Sequence, residues 1–126
     1  IQIGIEAIHA ETYAEMINTY IPDDQEKWKL FNAVNNFPTI KKKADWMKRW
    51  IHSQDSFSKR LLAFALVEGV FFSGSFCAIY WLKNQGKMPG LSAANDFIAR
   101  DEKLHFSAAA ALYQELLKLD GQMKSK

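Results

Sequence analysis

Cysteine is almost absent from this chain: only Cys77 occurs. That excludes a disulfide framework and any zinc site built on thiolates, and points to a reducing, intracellular, cytoplasmic compartment. Proline (3) and glycine (6) are scarce in 126 residues, so few positions interrupt regular structure. An excess of one charge is also missing. The 16 basic and 14 acidic residues leave a net charge of +2, without the clustered basic surplus of a nucleic-acid surface. The opening IQIGIEAIHA has neither a basic start nor a small-residue cleavage site, so it does not read as a signal peptide. It lacks an initiator Met, and the closing GQMKSK is polar with no clear stop. The chain reads as a piece of a longer protein, with residues 1–126 forming one partial domain.

What is present is helical. Alanine, leucine, lysine and glutamate recur at helical spacing and strand-like alternations are few, which predicts an all-α fold. A first helix is expected from about Ile3 to Tyr20, ended by Ile21-Pro22-Asp23-Asp24. Asp23 or Asp24 can cap a second helix, DQEKWKLFNAVNNF, that stops before Pro38. A third should span Ile40 to His52, followed by a polar connection from Ser53 to Ser58. The fourth, Leu61 to Leu82, carries one charge, Glu68, and Gly86 with nearby lysines should cap it. After a turn at Met88-Pro89-Gly90, Ser92 can cap a fifth helix from Ala93 to Leu119, ending near Gly121.

The fourth helix is long enough to cross a bilayer. A carboxylate at mid-membrane is costly, however, and Gly69, Ser73, Gly74 and Ser75 dilute the apolar run. The preferred reading is a helix buried on all sides within a soluble bundle, with no membrane partner.

Two of the three histidines follow a glutamate by three positions: Glu6-Ala7-Ile8-His9 and Glu102-Lys103-Leu104-His105. Residues i and i+3 share a helix face, so each carboxylate and imidazole can reach one ion. Either pair alone could be a solvated surface contact. Both, however, lie in apolar surroundings, and Glu68 sits on the most apolar helix. Buried carboxylates must be paired or bind a metal. Glu6, His9, Glu68, Glu102 and His105, drawn from three helices, form a consistent ligand set. Carboxylate and imidazole donors without thiolates suit iron or manganese. A ferritin-like di-metal site uses two such pairs and one glutamate from each of two further helices. One carboxylate helix is lacking, and its expected place is upstream of Ile1.

Tyr13 follows Glu6 by seven positions and His9 by four, within about 60° of both on the helical wheel. It is either a core tyrosine or a phenol close to the metals. Phe72 and Phe76 follow Glu68 at i+4 and i+8, and Ile98 precedes Glu102 by four. Plain core packing accounts for them, and the same packing would wall a dry pocket around the phenol.

These residues resemble the small, radical-generating subunit of class I ribonucleotide reductase. The matching stretches are EAIHAETYAEMINTYI, KKKADWMKRWI, FALVEGVFFSGSFCAIYWLK, MPGL and ARDEKLH, in order along nearly the whole chain. FFSGSF and MPGL look closer to eukaryotic and viral members. The resemblance implies a ferritin-like bundle holding a di-iron centre, with manganese the lesser choice. It implies that Glu6, His9, Glu68, Glu102 and His105 are metal ligands. Tyr13 would be the radical tyrosine, and Phe72, Phe76 and Ile98 its hydrophobic shield. It further implies that Asp101 accepts a hydrogen bond from the imidazole of His9 and lies on the electron-transfer route.

In such a protein the reduced iron site reacts with dioxygen and oxidises the tyrosine. The radical equivalent then passes to a separate large subunit, which makes deoxyribonucleotides for DNA synthesis. A homodimer is also implied. The upstream acidic ligand, the upstream tryptophan of the transfer route and the C-terminal docking tail have no counterpart here. The fragment alone is therefore expected to bind iron poorly and to expose apolar surface of its fourth helix. The runner-up is another ferritin-like oxidase or oxygenase component without a stable radical. Lys41-Lys42-Lys43 with Trp46 and Trp50 reads as a solvated basic face backed by indoles. Cys77 reads as a small core residue and His52 as a surface or helix-end residue.

Overall fold

The computed structural model describes the backbone of residues 2–124 and the side chains as far as residue 119. Every regular element among the described residues is helical, in agreement with the all-α expectation. The chain divides into two compact units, Ile1–Trp46 and Met47–Lys126, and each is taken by itself.

The first unit opens with α1 (Gln2–Tyr20), on which His9 is buried. Pro22 follows in the break. Asp23 then caps α2 (Asp24–Phe31), its carboxylate accepting from the Glu26 N–H at 2.8 Å, while Asp24 and Glu26 lie favourably in the first turn. The expected single helix to Pro38 is broken at Asn32, whose φ of −102° and ψ of 31° leave the helical range. Its side-chain amide donates to the Trp28 carbonyl at 2.9 Å, a local bond that competes with the helical ladder. The short α3 (Ala33–Asn36) follows. Next, α4 (Pro38–Ile51) starts two residues earlier than expected, because proline suits a first helical position. It runs past the division between the units.

In the second unit, Ser56 caps α5 (Phe57–Leu66). The expected continuous helix does not continue. At Val67–Phe71 the backbone widens into a π-turn, and α6 (Ser73–Asn84) resumes after it. The Ser73 hydroxyl donates to the Val70 carbonyl at 2.7 Å, pairing with an acceptor inside the irregular turn. Gly86, at φ +66°, ends α6. The Gly86 N–H donates to Lys83 O and the Lys87 N–H to Leu82 O, closing the last carbonyls as a left-handed glycine permits.

The last helix, α7 (Pro89–Lys124), is longer than expected at both ends. Pro89 begins it rather than forming a separate turn, and Gly121 does not stop it. Ser92 therefore lies within the helix and does not cap it.

Helix α7 packs along α5, the π-turn and α6. Its buried side chains Asn95, Ile98, Glu102, His105 and Ala109 recur at alternating steps of three and four, one continuous stripe. Leu61, Ala65 and Ala109 form an apolar core, with Tyr113 and Leu116 against it.

Enclosure of the fourth helix on all sides is not found. Leu61, Ala63, Ala65 and Glu68 are buried, whereas Leu62, Phe64, Leu66, Val70, Tyr80 and Trp81 are exposed. Among the described residues of its unit, α7 is the helix that packs along it. By length and composition Phe57–Asn84 is long and apolar enough to cross a membrane, its most apolar 18-residue window having a mean hydropathy of 1.9. Cys77 is likewise exposed, not a core residue. His52 is exposed, as expected, and Trp46 and Trp50 are half-buried beside the exposed Lys41, Lys42 and Lys43.

Candidate metal centre

The π-turn and α7 bring three ionisable side chains together inside the second unit. Glu68 is the second residue of the turn; Glu102 and His105 lie one helical turn apart on α7. All three are buried, at 8%, 4% and 8% exposure. Each offers one ligand atom, and those three atoms lie within 4.8 Å of one another. The His105 Nδ1 is 3.1 Å from Glu102 Oε2, a hydrogen bond whose donor depends on the imidazole tautomer.

Two carboxylates and an imidazole sharing one dry volume form an unusual core. Removing a carboxylate from water costs several kcal/mol, on the order found for any buried ion, and two together also repel. A divalent cation offsets both effects at once. The donor set is oxygen and nitrogen without sulfur, which suits iron or manganese. The residues present therefore fit a metal of that class.

Of the expected pocket residues, Ile98 is buried at 4%, one turn before Glu102 on the same stripe. Phe72 and Phe76 are half-buried, with ring centroids 6.4 Å apart in an edge-to-face arrangement at 72°. Asp101 precedes Glu102 and is partly buried, with 27% of its side chain exposed.

The first unit holds the other matching pair. His9 is buried at 7%, and its Nδ1 is 3.6 Å from Glu6 Oε2 one turn earlier. Glu6 and Tyr13 are half-buried. The two E-x-x-H pairs thus share the local geometry that their spacing predicts. Tyr13 lies one turn beyond His9 along α1.

Asn95 escaped the reading of the sequence. It is 1% exposed, and neither its amide nitrogen nor its carbonyl oxygen has a hydrogen-bond partner among the described residues. The signal was available, since Asn95 precedes Glu102 by seven and so falls on the same stripe.

The class defined so far is an all-helical protein with a buried carboxylate and imidazole cluster able to hold a metal, and comparison with known sequences narrows it. The family described as "Ribonucleotide reductase, small chain" matches residues 1–126. The ribonucleoside-diphosphate reductase small subunit of Dictyostelium discoideum is 57% identical over 126 residues, covering 99% of this chain and 37% of that protein. The small chain of Variola virus is 53% identical over 116 residues, with 92% and 36% covered. That of Trypanosoma brucei brucei is 54% identical over 116 residues, with 92% and 34% covered. The chain belongs to the ribonucleotide reductase small-chain family, and it spans little more than a third of the length of these relatives.

Proposed function

We propose that this chain is the metal-binding and radical-bearing segment of a ribonucleoside-diphosphate reductase small subunit. The observation that carries this reading is the buried convergence of Glu68, Glu102 and His105. Glu6 and His9 complete the ligand set of a two-iron centre in the assembled protein. Support comes from the matching spacing and the burial of His9.

When bound, the irons supply, with dioxygen, the oxidising power that a phenol requires. Tyr13 would give up one electron to that oxidant and its phenolic proton to oxygen derived from the reduced dioxygen, becoming a neutral radical. Phe72, Phe76 and Ile98 exclude water from the phenol, which removes reductants and keeps the ring from exchanging protons with solvent. In the assembled protein Asp101 would accept a hydrogen bond from the His9 imidazole, the role the family resemblance implies, and so fix the ring's orientation. The radical equivalent passes to the large subunit, where ribonucleoside diphosphates are reduced. The small subunit works as a homodimer in the cytoplasm and holds no nucleotide itself.

Low-temperature electron paramagnetic resonance on the full-length, iron-loaded protein tests this. A tyrosyl signal is expected, and Tyr13→Phe should abolish both the signal and reductase activity while iron stays bound. Turnover at the normal rate by Tyr13→Phe would reject the radical role and favour a related oxidase without a stable radical.

A further inference from the structure

The π-turn that carries Glu68 rests against an aromatic ring. Gly69 faces Phe106 of α7 so closely that a Cβ on Gly69 would lie 2.6 Å from Cδ2, 2.8 Å from Cε2 and 3.2 Å from Cγ of that ring. No methyl group fits there unless the ring or the backbone moves. The contact has a particular address in the sequence. Gly69 follows Glu68 by one residue and Phe106 follows His105 by one, so the contact ties together the backbones beside two of the three clustered donors.

A π-turn holds one residue more than the α-helical ladder accommodates, and such turns persist only where surroundings favour them. Returning this one to regular geometry would rotate the residues on one side by about 100° relative to the other, since each residue advances the helix by that angle. Glu68 lies inside the affected segment. Its carboxylate could not keep its place beside Glu102 and His105 through such a rotation.

We propose that the Phe106 ring, seated on Gly69, holds the π-turn in place and thereby aims Glu68 at Glu102 and His105. Phe106 is a positioning residue, and the missing side chain of Gly69 is what lets the ring approach. This rests on the reading of the cluster as a metal centre. Phe106 keeps 40% of its surface exposed, so a ring free to swing outward is the competing outcome.

The test uses the full-length protein freed of metal and titrated with Co(II), whose visible absorption reports coordination geometry. Wild type, Gly69→Ala, Phe106→Ala and the double variant are compared. Each single variant should bind Co(II) about tenfold or more weakly, the scale of losing a residue that orients a ligand. The absorption bands should shift, because Glu68 is displaced and not merely loosened. In the double variant the loss should be smaller than the product of the two, since both changes remove one contact.

Wild-type affinity and an unchanged spectrum in either single variant would overturn the proposal. So would losses that multiply independently. If Gly69→Ala does not fold, Phe106→Ala decides alone: shifted bands support the proposal and unshifted bands reject it. A wild-type protein that binds no Co(II) would instead refute the metal centre itself, and the positioning role with it.

Discussion

Glu102 Oε2 and His105 Nδ1 lie 3.1 Å apart, one turn along α7, with both side chains more than nine-tenths buried. A carboxylate and an imidazole so held face the same small volume as Glu68 without any rearrangement of the helix. Their pairing holds two of the three clustered donors together. His105→Ala should therefore act twice. It removes a hydrogen bond from a buried carboxylate, lowering the stability of the metal-free full-length protein by about 1–3 kcal/mol in denaturant unfolding. It should also lower bound iron well below wild type in metal analysis. Unchanged iron content would remove His105 from the ligand set.

Asn95 offers a prediction of opposite sign. A buried amide with neither polar atom hydrogen-bonded carries a desolvation cost on the order of 1–3 kcal/mol. Asn95→Leu keeps the branched shape and removes both polar atoms. The full-length variant should unfold at higher denaturant than wild type. An equal or lower midpoint would mean that the amide is satisfied in the assembled protein.

The connection before α5 carries a pH-dependent element. The Ser53 hydroxyl, donating to Asp55 at 2.7 Å, holds the Asp55 carboxyl below its ordinary value, and the Lys59 ammonium at 3.2 Å lowers it further. A carboxylate whose pKa is depressed by folding contributes stability above its unfolded value, and that contribution is lost as pH falls through the folded value. Ser53→Ala should move the Asp55 titration upward in carbon-detected NMR. An unmoved titration would assign the shift to the neighbouring cations, Lys59 and Arg49.

The parts of this molecule that were legible in the sequence are those governed by local geometry. Glu102 and His105 face one way because three residues make nearly one helical turn, whatever else the chain does. Asp23 caps α2 and Gly86 ends α6 for reasons contained within a few residues. Features that depend on distant partners were not legible. Nothing in Val67–Phe71 announces a π-turn; the contact that bears on it comes from Phe106, 37 positions after Gly69. The apolar run from Leu61 to Leu82 suggested enclosure on all sides, yet hydropathy does not say how many neighbours a helix meets. Cys77 was misplaced for the same reason. Pro22 and Pro89 illustrate the ambiguity of proline, which follows the end of α1 in one case and begins α7 in the other.

The central claim is that Glu6, His9, Glu68, Glu102 and His105 jointly hold a pair of metal ions beside Tyr13. Anomalous diffraction at the iron edge, on crystals of the iron-loaded full-length protein, tests it most directly. Two anomalous peaks are predicted, each within coordination distance of carboxylate oxygen and imidazole nitrogen from these five residues. Iron peaks elsewhere, or these side chains ordered around no metal, would contradict the account.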